Sequence, residues 1–197
     1  MKTLTYVTTS DINDLSWPVI EQNTGLYSPA TSVFTDFKKT NPRVIEPNVR
    51  ADVLATIMKK EHVRMKVVVD ANNNFLGVVS LEDLSEEAFI KQAAAGYMRD
   101  ELLAIDLMRA KEDLLAVSYK SLTNSDIESV IHSQKENTYQ HLLVVDEENM
   151  SIRGLVSAND IVRQLKLSID TATSTSFAKL HQVIEGDYAN SKRLRVA

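Results

Sequence analysis

The hydrophobic period of the chain changes repeatedly, and it changes in the same order twice. The apolar pair Val44-Ile45 predicts a short strand; Val53, Leu54, Ile57 and Met58 then fall at helical spacing, and residues 66–69 return to a strand. The run Asp70-Ala71-Asn72-Asn73-Asn74 is rich in residues that tolerate left-handed backbone. It predicts a hairpin turn into residues 75–79, after which Ser80 opens another helix. Downstream, residues 114–117 predict a strand and Ile127, Val130 and Ile131 mark a helix. Residues 142–145 and 152–156 then form a second hairpin ahead of a helix from Ala158. Each unit reads β-α-β-β-α. Val67, Val68 and Val69, like Leu142 to Val145, are apolar at consecutive positions, which predicts sheets covered by helices and an α/β fold.

The two units are copies. Gly77-Val78-Val79-Ser80-Leu81-Glu82-Asp83 returns as Gly154-Leu155-Val156-Ser157-Ala158-Asn159-Asp160 at an offset of 77, and two of only five glycines open the phrase. Upstream, Val67-Val68-Val69-Asp70 faces Leu143-Val144-Val145-Asp146 at an offset of 76, so the second hairpin loop carries one extra residue. The expected organisation is a lead-in over residues 1–27, a first repeat over 28–92, a linker helix over 93–104, a second repeat over 105–167 and a tail over 168–197. All four prolines precede the first repeat's first helix, so the chain to about residue 43 is expected to be extended or turn-rich. Gly96 is the expected break in the helical stretch between the repeats. In the tail, residues 170–176 are a polar run able to cap a short amphipathic helix from Phe177 to about Tyr188, with Phe177, Leu180 and Ile184 on one face. That stripe is expected to pack on the module or its dimer mate, or to enter a partner's groove. The basic end, Ser191 to Arg195, reads as a solvated terminus.

At 44% hydrophobic and 25% charged residues the composition is that of a globular protein. With 22 basic against 27 acidic residues the net charge of −5 offers no attraction for a phosphate backbone, so nucleic acid is excluded as a partner. No apolar run approaches the roughly 18 residues of a membrane span, and the first residues lack a signal-peptide core, so the expected location is the cytoplasm, away from membranes. The chain has no cysteine, and its four histidines show no metal-ligand spacing. There is no Gly-x-Ser-x-Gly elbow, phosphate loop or dinucleotide fingerprint, and the acidic pairs Glu86-Glu87 and Glu147-Glu148 read as solvated surface. Nothing points to an enzyme.

A β-α-β-β-α unit ending in Val-Val-Asp, a short hairpin and Gly-apolar-apolar-Ser-x-x-Asp resembles the cystathionine-β-synthase domain, present here as a tandem pair over roughly residues 28–167. Residues 30–37 and Ile105-Asp106-Leu107-Met108-Arg109 occupy the places of that family's lead-in segments. The resemblance implies two repeats packed about a pseudo-two-fold axis, with clefts that in many members bind AMP, ADP, ATP or S-adenosylmethionine. It further implies a regulatory role exerted on a separate protein partner, no required cofactor, and a homodimer. Leu81, Leu84, Ala88, Ile161 and Leu165 are the apolar helix positions expected to close that dimer.

On that resemblance, Ser80, Asp83, Ser157 and Asp160 are the ribose- and phosphate-facing residues, with Gly77 and Gly154 letting a ligand approach the strand backbone. Arg64-Met65 and Gln140-His141 stand where nucleotide-binding members often carry a cationic pair, so neither repeat keeps the full pair. Arg64, and His141 when protonated, are the candidate phosphate contacts. The same residues have a purely structural reading. Serine followed three positions later by aspartate is close to a helix capping box, worth on the order of 1 kcal/mol with no ligand present. A glycine near a hairpin likewise serves a tight backbone approach. A ligand sensor and a ligand-independent dimerising scaffold are therefore both open at this level.

Overall fold

The computed structural model describes residues 24–167 and 175–194. The lead-in before residue 24, most of the polar run at 170–176 and the end of the basic terminus lie outside the described residues. The described chain runs β1 (Phe34–Asp36), β2 (Val44–Ile45), α1 (Ala51–Lys60), β3 (Met65–Val69), β4 (Phe75–Ser80), α2 (Glu86–Ala94) and α3 (Ala104–Leu107). It continues through β5 (Arg109–Ala110), β6 (Ala116–Ser118), α4 (Tyr119–Thr123), α5 (Ile127–Ser133), β7 (His141–Asp146), β8 (Ser151–Ser157), α6 (Ala158–Gln164) and α7 (Phe177–Leu194).

Local chemistry sets the hairpins. Asp70 Oδ1 accepts from the amides of Asn72 and Asn74, both at 2.8 Å, and Asn73 takes a φ of 62°, so the turn uses the side-chain bonding and left-handed backbone its sequence favours. Both hairpins carry a register shift at the same place, between Val68 and Val69 and between Val144 and Val145. The duplication thus extends to a backbone irregularity.

The sheets exchange strands. One has the order β2-β3-β4-β5 and the other β1-β8-β7-β6. The lead-in strand β1 pairs antiparallel with β8 of the second repeat, and β5, which precedes the second repeat, pairs with β4 of the first. Each repeat's lead-in therefore completes the other's sheet.

Three apolar clusters follow. One lies between the first sheet and its helices, with Leu54, Met58, Val68, Val79, Phe89 and Leu102 at its centre. A second lies under the helices of the second repeat. The third joins the sheets face to face through Met65, Val67, Val69, Val78 and Leu143. The strands are apolar on both sides as expected, but one face meets helices and the other meets the opposite sheet, a correction to the expectation of helices on both. Leu84 and Ile161, expected at a dimer face, are buried within the single chain. The strand expected at 114–117 forms at 116–118, and the linker helix expected over 93–104 does not form. α2 stops at Ala94, Gly96 adopts a φ of +95°, and residues 95–103 are mostly turns, with Leu103 extended.

The tail helix packs on its own chain. Phe177, Leu180 and Ile184 are buried with Ile127, Val130, Ile131, Ile161 and Val162 of α5 and α6. Ser176 Oγ caps the helix by accepting from the amide of Lys179 at 3.2 Å. Helical backbone continues to Leu194, beyond the expected end near Tyr188.

Candidate ligand-binding site

Two clefts flank the exchanged strands, the larger of them where the sheets meet. The larger, of about 580 Å³, has an apolar floor from Met65, Val78, Leu114 and Leu143, walls from Arg109, Tyr139 and His141, and a rim from residues 133–138. The smaller, of about 290 Å³, is lined by Thr31, Phe34, Thr35, Asp36, Lys39, Thr40 and Tyr119. They are pseudo-symmetric: Arg109 pairs with Val78 beside Gly77 as Thr35 pairs with Leu155 beside Gly154. Small-molecule sites generally span about 300–1,000 Å³, so the larger cleft has room for a nucleotide while the smaller is at the lower limit.

Arg109 gives the larger cleft its charge. Its guanidinium lies 4.0 Å from the centre of the Tyr139 ring, and its Nε is 3.5 Å from Asp83 Oδ2. That Nε is buried and makes no hydrogen bond, as is His141 Nδ1 on the same cleft. Burial foremost, then the charges of Arg109 and Arg64, holds the His141 pKa down at about 4. His141 is therefore a neutral imidazole at physiological pH, and the expected cationic contact is corrected: the positive charge here belongs to the arginines. At the smaller cleft the chemistry is already satisfied. Asp36 accepts from Arg153 Nε at 2.8 Å and from a terminal guanidinium nitrogen at 2.9 Å, and Arg153 stacks 4.4 Å from the centre of the Tyr119 ring.

The two Ser-x-x-Asp copies differ in their bonding. In the first, Asp83 Oδ2 accepts from the Ser80 amide at 2.8 Å and from Ser80 Oγ at 2.6 Å, while the Asp83 amide lies 3.4 Å from Ser80 Oγ. This is a closed capping turn. It sits ahead of α2, which starts at Glu86 under its own cap Ser85, so Ser80, expected to open a helix, opens a turn instead. In the second copy α6 starts at Ala158, Ser157 makes no capping bond through its side chain, and Asp160 accepts instead from the exposed Arg163 at 2.7 Å. Burial raises the Asp160 pKa, against the lowering effect of Arg163.

The structure thus brings His141 to the larger cleft, with Asp83 beside Arg109 and the Arg64 charge within reach of His141. It keeps Ser157 and Asp160 at the start of α6. Gly77 and Gly154 are reassigned: a Cβ on Gly77 would overlap the carbonyl oxygen of Arg109, and one on Gly154 would overlap that of Thr35. The close approach is by the exchanged strand. Arg109 and Tyr139 were missed by sequence reasoning. Only the pairing of β5 with β4 brings Arg109 to this cleft, and the lead-in position of Arg109 was the one available signal. Among the described residues no group of His, Cys, Asp and Glu is arranged to hold a metal, and no helix is long and apolar enough to cross a membrane.

A family model for the CBS domain matches residues 34–89 and 122–167, together more than half of the chain. No curated protein matches the sequence. Among solved structures, an uncharacterized conserved protein from Pyrococcus horikoshii is 15% identical with a TM-score of 0.54, the match covering 74% of this chain and 98% of that one. The CBS-domain containing protein ATU1752 from Agrobacterium tumefaciens is 19% identical with a TM-score of 0.53, covering 77% and 98% respectively. CBSX2, solved in complex with AMP, is 23% identical with a TM-score of 0.48, covering 70% and 94%. At these identities the likeness is one of fold.

Proposed function

The chain belongs to the CBS-domain family, and from that premise we propose that it is a cytoplasmic regulatory module that binds an adenosine-containing ligand between its repeats and signals to a separate partner protein. One observation carries this reading: on the wall of one cleft of about 580 Å³, His141 Nδ1 is buried without a hydrogen-bond partner, beside an Arg109 whose buried Nε has only a long 3.5 Å ion pair to Asp83. Buried polar atoms are nearly always paired, so an unpaired imidazole nitrogen beside a weakly satisfied guanidinium on a roomy, apolar-floored cleft fits a ligand that supplies the missing partners. The arginine charges favour a phosphate, hence AMP, ADP or ATP over the sulfonium of S-adenosylmethionine. Asp83 ion-pairs with Arg109 at 3.5 Å, and in this reading the ribose falls to Ser157 and Asp160 at the start of α6, where Ser157 makes no side-chain capping bond.

A second reading, the ligand-independent scaffold, is favoured by the closed Ser80–Asp83 turn, which accounts for that motif with no ligand. In either reading the chain pairs as a homodimer through α2 and the segment after it, where Ile90, Tyr97 and Met98 are exposed, whereas α7 covers helices of the second repeat. Thermal melting with AMP, ATP and S-adenosylmethionine separates the readings. A nucleotide at a hundred times its dissociation constant stabilises by about 2.7 kcal/mol, or about 5–11 °C for a chain of this size. Arg109→Ala removes most of that shift under the sensor reading. No shift with any of the three ligands leaves the scaffold.

A further inference from the structure

We propose that the segment between α5 and β7 is a two-sided wall that couples occupancy of the larger cleft to docking of the tail helix α7, making α7 the element that reports the ligand. This rests on the cleft being the ligand site. On one side, Asn137, Thr138 and Tyr139 line the cleft, and Tyr139 lies under the Arg109 guanidinium. On the other, the Tyr139 carbonyl accepts from the Phe177 amide at 3.1 Å and the Asn137 carbonyl accepts from the Ala178 amide at 2.9 Å. The first amides of a helix have no partner within it, so these two wall carbonyls complete the first turn of α7.

The wall is braced as a unit. Asn137 Nδ2 donates to Gln134 Oε1 at 2.7 Å, and Asn137 Oδ1 accepts from the Tyr139 amide at 2.8 Å. A ligand that presses on Tyr139 or orders Asn137 therefore acts on the carbonyls that seat α7, with no intervening element. The sign is positive, because a wall held in its present geometry is the one that receives the helix. By linkage the undocked state then binds ligand more weakly by the same factor, typically about 5–150-fold for coupled sites.

Hydrogen exchange on the full chain, with AMP and ATP as probes and calorimetry to report binding, tests this. Saturating nucleotide should slow exchange of the amides of residues 179–184 by about 5–150-fold, the size of the coupling. Ala178→Pro deletes one seating donor without removing an intrahelical hydrogen bond, and should abolish most of that slowing. Nucleotide that binds yet leaves α7 exchange unchanged overturns the proposal, as does full slowing in Ala178→Pro. If neither nucleotide binds, the ligand reading fails separately and Tyr139→Ala decides. Loss of the ring on the cleft side should speed α7 exchange several-fold while strand β3 stays unchanged, and unaltered α7 exchange overturns the coupling.

Discussion

Replacing Gly77 or Gly154 by alanine separates a strand-packing role from a ligand-contact role at the same positions. A Cβ on Gly154 would overlap the Thr35 carbonyl oxygen and stand 2.5 and 2.7 Å from two carbons of the Phe34 ring. One on Gly77 would overlap the Arg109 carbonyl oxygen and stand 3.1 and 3.2 Å from the Arg109 carbonyl carbon and Ala110 Cα. Real Cβ contacts essentially never fall under 3.0 Å, and the oxygens are backbone, so relief requires β1 or β5 to move away. Overpacking of this kind costs about 1–3 kcal/mol, more where backbone must shift. At about 2–4 °C per kcal/mol for a domain of this length, each variant should melt about 2–12 °C below wild type without ligand. Gly186 provides the contrast. It lies in α7 with open space around its Cα, so Gly186→Ala should stabilise by about 0.5–1 kcal/mol. Differential scanning calorimetry of the three ligand-free variants is the assay. If Gly77→Ala and Gly154→Ala melt as wild type, the strand-exchange account of the glycines is wrong.

Leu180→Ala should cost about 2–5 kcal/mol, because that side chain is fully buried between α7 and the second repeat; equilibrium unfolding in urea reports it. Acid should unfold the protein through Asp36 and Asp146, both held near pKa 2. The Arg153 hydrogen bond leads for Asp36 and the Asn149 side-chain hydrogen bond leads for Asp146. Since folded values lie below the unfolded value of about 3.9, their stabilisation is complete above about pH 4 and is lost as pH falls through about 2. Asp36→Asn should flatten that limb of a pH–stability curve. His141 acts over a higher window: with a folded pKa of about 4 against an unfolded 6.5, stability falls as pH drops from about 6.5 toward 4, and His141→Gln should remove that slope. Light scattering should give twice the chain mass for wild type and the chain mass for Ile90→Asp, whose parent residue is 67% exposed; a wild-type monomer would refute the dimer through α2.

Periodicity and turn chemistry are local, and they carried the order of elements, the duplication and the tail stripe directly from the sequence. Val67 to Val69 announce a strand buried on both faces whatever covers them, and Asp70 to Asn74 make their turn with their own side chains. What covers each face is a long-range matter. The pairing of Phe34–Asp36 with a strand about 120 residues later depends on loop closure and sheet-edge satisfaction, which leave no periodic trace. That pairing turned Gly154 from a ligand-facing residue into a strand-packing one, and the matching pairing of β5 delivered Arg109 to the cleft. The two Ser-x-x-Asp copies match in sequence, yet one closes into a capping turn and the other bonds to Arg163, because the segments after Ser80 and Ser157 enter their helices differently. Burial likewise removed the charge expected of His141, since desolvation depends on every neighbour at once and on none that the chain order names.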